Sequence, residues 1–208
     1  MKLFSLSLQH CLVRWSIVLI VVITSTVLVS QPAQASSRAE NHCITFGGID
    51  LNEFYGVSEQ LVAPGCSQIG SGEPYRVWAG WSMNSSFAAV PPEFVPAGDT
   101  PLEDFVAKFV AVKYVVDPGT AKQKTYIVPN QGDLWTGILF GLPHVNTLTL
   151  GVLKPLPVGQ HRIDMYWIFS AMHCDGFSDV VAQSCLPAGE TRFGAPGRPA
   201  FEVTADQR

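Results

Sequence analysis

Apolar and polar positions alternate most regularly between His161 and Ala171. His161, Ile163, Met165, Trp167, Phe169 and Ala171 fall on one parity, and Arg162, Asp164, Tyr166, Ile168 and Ser170 on the other. Successive side chains of a strand point to opposite faces. The pattern therefore predicts a strand whose odd face is core and whose even face is solvated over its first half. Other β-branched and aromatic runs predict further strands: Tyr75–Ser82, about Ala107 to Val116, Lys124–Val128, Thr147–Leu153 and Ala200–Thr204. Asp117-Pro118-Gly119-Thr120 separates two of them and predicts a hairpin, because Pro presets one φ and Gly accepts the next at positive φ. Leu134–Leu142 is apolar and interrupted by Gly137 and Gly141; it reads as a buried strand or as an exposed surface for a partner.

Helix signals are few. Asp50 with Glu53 forms a capping-box pattern, and Leu51, Phe54, Tyr55, Ser58, Leu61 and Val62 follow at helical spacing until Ala63-Pro64-Gly65. Thr100-Pro101-Leu102-Glu103 is a second helix start, with Pro at the first helical position. Pro91 to Gly98 reads as an extended connection. The sum is a mainly β chain, expected as an antiparallel β-sandwich with one or two short helices.

The run Leu156-Pro157-Val158-Gly159-Gln160-His161-Arg162-Ile163 resembles the segment that leads into a late strand of bacterial immunoglobulin-like modules. The resemblance covers about a third of the domain. It implies an immunoglobulin-like sandwich and no activity. The cysteine spacing departs from that of antibody domains, where the bridge staples the two sheets across the core.

The N-terminus changes the picture of where the domain works. Met1–Arg14 carries Lys2 and Arg14 and no acid; Trp15–Val29 is almost wholly apolar; Ala33 and Ala35 then give an Ala-x-Ala cleavage pattern. These are the parts of a secretory signal. The apolar run of 15 residues is shorter than the roughly 20 a membrane-spanning helix needs. Residues 1–35 are read as a signal peptide and 36–208 as one secreted or periplasmic domain; contact with a membrane is expected only through an uncleaved leader.

Of 208 residues, 173 then remain, enough for one core. The leader holds two of the 13 basic residues and none of the 17 acidic ones, which leaves 11 against 17 and a net charge of −6. A mildly acidic domain is a poor nucleic-acid binder. Four cysteines remain after Cys11 leaves with the leader: Cys43, Cys66, Cys174 and Cys185. An even count outside the cytoplasm predicts two disulfides, with Cys43–Cys66 and Cys174–Cys185 favoured by proximity in sequence. The spacings match no structural zinc motif.

Candidate chemistry is sparse. His144, His161 and His173, with Asp164 and Asp175 near two of them, are the candidate metal ligands of an exported metal-dependent enzyme pairing His144 with His161 or His173. On one continuous strand His161 and His173 would stand about 40 Å apart, so sharing a metal requires the chain to fold back. Gly80-Trp81-Ser82-Met83-Asn84 lacks the last glycine of a nucleophile elbow. No catalytic residue, cofactor or phosphate loop is predicted. Trp78, Trp81, Trp135, Trp167, Tyr75 and Tyr166 raise the alternative of a carbohydrate-binding module, with Trp135 the best candidate for an exposed platform. Asn84-Ser85-Ser86 fits a glycosylation acceptor. The leading expectation is a non-catalytic, exported binding or envelope-associated module. Its partner would be a protein or glycan outside the cytoplasm. Contact would be made through Leu134, Trp135, Ile138, Leu139 and Phe140, or through the loop between Cys174 and Cys185.

Overall fold

In the computed structural model, residues 42–45 and 47–205 are described. The leader at 1–35, its cleavage site and Cys11 lie outside the described residues. Along the chain run α1 (Leu51–Tyr55), β1 (Gln60–Val62), β2 (Gln68–Gly70), β3 (Tyr75–Val77), β4 (Gly80–Ser82) and α2 (Pro101–Lys108). Then come β5 (Phe109–Val116), β6 (Lys124–Pro129), β7 (Trp135–Leu139), β8 (Leu142–Asn146) and β9 (Gly159–Phe169). The last elements are β10 (His173–Cys174), α3 (Val181–Ser184), β11 (Cys185–Leu186), β12 (Gly189–Phe193) and β13 (Ala200–Thr204).

The alternating strand is β9, and it organises the main sheet, whose order is β2-β13-β9-β5-β6. On one side β9 pairs antiparallel with β5 over 163–169. On the other it pairs with β13 near its start and with β12 near its end. His161, Ile163, Met165, Trp167 and Phe169 are all buried, as the odd parity requires. Val112, Tyr114 and Val116 of β5 stand opposite Trp167, Met165 and Ile163 and complete that face. The even face departs from expectation at Asp164, which is only 7% exposed. The Arg192 guanidinium and the Gly197 amide cover it, at 3.2 and 2.5 Å.

The main core forms between this face and side chains from β1, β3, β8, α2 and the end of β4, among them Val62, Tyr75, Val77, Val145, Phe105 and Met83, the residue after β4. A smaller cluster gathers Cys43, Leu51, Tyr55, Leu61, Ala63 and Leu148, with Trp78 and Trp135 against it. The chain is mainly β. Its pairing is mixed, because β1–β3 and β13–β2 are parallel among otherwise antiparallel ladders. Three helices are present among the described residues instead of one or two; α3, a single turn inside the second disulfide loop, carries no sequence cap.

Several boundaries move for local reasons. The first helix was expected to reach Val62; it ends at Tyr55 because Gly56 turns left-handed at φ 67° and its N–H caps the carbonyls behind it. Freed from the helix, Gln60–Val62 becomes a fully buried strand. The second start signal holds: Thr100 and Glu103 make a reciprocal capping box, and α2 runs to Lys108 before the β-branched residues of β5 take over. The Tyr75–Ser82 run splits into β3 and β4, so Trp78 serves the smaller cluster and Trp81 the larger. Thr147–Leu153 is not a strand: Thr147 to Leu150 turn, and Leu153 alone bridges to Tyr75. The Asn146 side chain accepts from the Leu148 amide at 2.9 Å, and Leu150 donates to Thr147 at 3.1 Å, so local bonds replace a ladder.

Disulfides join Cys43 to Cys66 and Cys174 to Cys185. Such bridges belong to an oxidising, extracytoplasmic environment.

Candidate functional site

Leu134–Leu142 holds the rising strand and the turn of a hairpin and ends on the first residue of the returning strand. Trp135–Leu139 pairs with Leu142–Asn146, and Phe140-Gly141 is the whole connection. Both linking residues have positive φ, 52° and 80°, as a type I′ turn demands. Asn or Asp usually fills the first of these positions. A bulky residue there is an outlier that costs about 1–2 kcal/mol of backbone strain. Phe140 is also 84% exposed, so no packing repays that strain. Ile138 and Leu142 beside it are 62% and 38% exposed.

The base of the hairpin is held firmly. Trp135 packs edge-on against Tyr55, tilts against Phe54 and meets His144. Its ring lies over Gly137, where an added Cβ would stand 2.5 Å from it. Its amide donates to Thr149 Oγ1 at 3.1 Å. Leu134 packs on the main core. Trp135 is thus half-buried structure and not a free stacking platform. Leu134 and Leu139 are also half-buried; Ile138 and Phe140 are the two of the five candidates that face solvent.

The loop between Cys174 and Cys185 comes to the same end of the molecule. Met83 donates to Pro143, which pairs with Ile138 close to the hairpin tip, and its neighbour Asn84 donates to Asp175 in the loop, both at 2.8 Å. Phe177, Val180 and Val181 are 49%, 47% and 40% exposed there. The two candidate contact regions therefore flank one segment, Met83–Asn84. The Asn84 side-chain amide donates to Gly176 O at 3.2 Å, so the acceptor nitrogen of the glycosylation pattern is engaged in joining the regions.

Beneath the loop lies a buried ionic group. Lys108 Nζ meets Asp104 at 2.6 Å and donates to the carbonyls of Val95 and Met172 at 2.7 Å. The other Asp104 oxygen meets His173 Nδ1 at 2.8 Å. Burial alone would raise the Asp104 carboxyl, but hydrogen bonds from His173 and Lys108 outweigh it and hold it below its ordinary value. The group ties α2, the Pro-rich connection and the disulfide loop together.

The three candidate metal ligands have separate partners. His144 Nδ1 lies 3.0 Å from Ser82 Oγ, its cross-strand neighbour. His161 bonds Asp117 and the Pro157 carbonyl, each at 2.9 Å. His173 bonds Asp104. Among the described residues no cluster of three or more His, Cys, Asp or Glu side chains is arranged to hold a metal ion. Asp164 and Asp175 serve Arg192 and the Phe177 amide instead.

Ser82 and His144 are two members of a nucleophile set, but among the described residues no carboxylate is bonded to the ring. Burial pushes the His144 pKa down to about 4, so the ring is neutral near pH 7. Its Nε2 is buried without a hydrogen-bond partner, wedged against Gly80. This arrangement packs a cross-strand pair.

Sequence reasoning missed the turn at Phe140-Gly141. The signal was an X-Gly pair between two apolar runs, disguised because Phe is a poor residue for that turn. It also missed β12, although Gly189 and Gly194 bracket an alternating Glu-Thr-Arg-Phe segment. No family model, curated protein or solved structure matches the chain.

Proposed function

We propose that this chain is a non-catalytic binding module exported from the cytoplasm, and that it docks a protein partner through the end formed by the β7–β8 hairpin tip and the Cys174–Cys185 loop. The observation that carries the reading is Phe140, a large apolar side chain held out in solvent on a backbone that disfavours it. Strain kept without packing in return points to use elsewhere. A single aromatic knob on a rigid hairpin suits the buried centre of a protein interface, where a few aromatic anchors carry most of the binding energy. Ile138, Leu142 and Phe177 supply an apolar surround. The acidic balance of the chain argues against an anionic lipid surface as the occupant.

The two disulfides support an oxidising compartment, and the leader pattern at 1–35 supports export. For the fold we favour a two-layer sandwich, because the core lies between the β9–β5 face and the shorter strands β3, β4 and β8. An immunoglobulin-like relation rests on the Leu156–Ile163 run alone, and the parallel pairs depart from it.

The test is photo-crosslinking in the source cells, with the reactive residue at position 138. A defined protein should be captured there, lost when Phe140→Asn is added, and not captured from position 127, which is exposed on β6. Equal capture from 138 and 127, or capture indifferent to Phe140→Asn, would overturn the assignment.

A further inference from the structure

The hairpin carries a free sheet edge as well as a tip. β7 is the outer strand of its sheet, whose order is β4-β8-β7. On β8, the Pro143 carbonyl accepts from the Met83 amide and the Thr147 amide donates to Ala79, so Pro143, Val145 and Thr147 turn their backbone groups toward β4. Ile138 and Thr136 stand opposite Pro143 and Val145. In an antiparallel ladder such pairs exchange no bonds, and each member points its N–H and C=O away from the other. Ile138 and Thr136 therefore hold theirs out along the edge, and among the described residues no partner meets them.

A row of free backbone groups is a template for another chain, and proteins blunt it with charge, Pro or a cover. Other edges of this molecule follow that rule. On β6, Asn130 donates to Val110, so the even-numbered residues face β5 and Pro129 faces out, where it offers no donor; Lys124 starts the same strand. β12 carries Glu190 and Arg192. On β2, the Gln60 side chain takes both the amide and the carbonyl of Gly70. β7 reads Trp-Thr-Gly-Ile-Leu, with no charge, no Pro and no register shift. Thr136 and Ile138 are exposed on it.

The spacing of these groups fits the strand to itself. With two β7 strands antiparallel about an axis at Gly137, Thr136 of each copy faces Ile138 of the other. Every such residue brings a donor and an acceptor, so both bonds of each pair are made. Gly137, on the axis, has no side chain to meet its own copy. The paired side chains are β-branched and uncharged, which suits cross-strand packing and sets no like charges together. The same register puts Phe140 of each copy opposite Leu134 of the other.

We propose that a second copy of this chain occupies the hairpin side of the docking surface, joined edge to edge through β7 as a closed dimer. The proposal rests on the reading of the hairpin as a docking surface and names what docks there.

The exported, oxidised protein is followed by sedimentation equilibrium. Its mass should rise between about 10 µM and about 1 mM, the range open to a small interface, and level off at twice the monomer. Thr136→Lys combined with Ile138→Lys sets like charges opposite each other in this register and should weaken the dimer by about tenfold or more. Thr136→Glu combined with Ile138→Glu should do the same, and mixing the two variants should restore the dimer. Thr125→Lys combined with Ile127→Lys adds the same charge to the β6 edge and should leave the mass curve unchanged. Amide hydrogen exchange at 136 and 138 should slow as the unmodified protein dimerises; this measurement decides if the charged variants do not fold by circular dichroism. A monomer throughout, growth past the dimer, equal weakening by the β6 pair, no restoration on mixing, or unslowed exchange at 136 and 138 would each overturn the proposal. Crosslinking from position 138 separates the two readings: capture of a different protein overturns the second copy alone, and capture of nothing overturns both.

Discussion

Replacing Phe140 by Asn should stabilise the fold while removing the proposed docking knob. Phe140 stands at φ 52° in a two-residue turn, and Asn before Gly is the preferred pair for that turn. The strain relieved is about 1–2 kcal/mol, the left-handed penalty of a residue with an ordinary Cβ, which Asn largely escapes through its local hydrogen bonding. The loss on the other side is small, because a side chain 84% exposed buries little apolar surface. The net gain should be about 1 kcal/mol, raising the melting temperature by about 2–4 °C in a domain of this size. Differential scanning calorimetry of the oxidised domain, wild type against variant, measures it. Gly141→Ala is the matched control: its φ of 80° admits glycine readily and alanine poorly, so it should lower the midpoint. A wild-type or lower midpoint for Phe140→Asn would refute the reasoning. The tip would then not be strained, and its exposure would have no bearing on function.

Three further outcomes follow from the interior. Burial lowers the folded His144 pKa to about 4 from an ordinary 6.5, so below pH 6.5 the unfolded chain binds a proton that the folded chain refuses. Stability should be complete above that point and fall by about 3 kcal/mol down to pH 4, and urea midpoints of His144→Phe should lack that slope. Carboxylates held low by their partners, such as Asp104, lose their contribution only below their ordinary value near 3.8, which keeps the two windows apart. Lys108→Met should cost about 3–5 kcal/mol in urea denaturation by leaving Asp104 buried without its cation; an unchanged midpoint would show that His173 suffices. Replacing Cys174 and Cys185 together by Ser should cost about 3 kcal/mol in the chain-entropy view, and hydrogen exchange should rise in 175–184 before it rises in β9.

What could be read from the sequence was what nearest neighbours decide. The parity of β9, the capping box at Thr100 and Glu103, the Asp117-Pro118-Gly119 hairpin and both disulfide pairings depend on residues close along the chain. The misreadings share one cause: apolar content was taken for pairing where a distant or left-handed feature intervened. Gly56 ended a helix whose periodicity ran on. Thr147–Leu153 has the composition of a strand, but Asn146 offers the Leu148 amide a side-chain acceptor and bends the chain away. β2 and β12 escaped notice because a run of three to five polar or mixed residues is too short for its alternation to stand out; their partners, β13 and β9, make them strands. The candidate surface was half legible. The apolar run flagged Leu134–Leu142, but only the folded register shows that Leu134 and Trp135 anchor the hairpin while Ile138 and Phe140 are offered outward.

The ordering of that end explains how it can keep a strained tip. A sparsely populated backbone conformation survives only where its surroundings over-determine it. Here Trp135 clamps the hairpin across Gly137, the Met83–Pro143 bond holds the returning strand just below the tip, and the Asn84–Asp175 bond couples it to a loop closed by a disulfide. Under the loop, Lys108 and His173 pin it to α2 through Asp104. Each tie lowers the conformational freedom left to lose on association, and preorganised surfaces bind more tightly for the same area. A buried ion pair is weak evidence for stability, since apolar residues of equal volume often do as well. Its placement under the loop that shares the Met83–Asn84 segment with the hairpin gives it a different role: it fixes where the proposed docking surface stands.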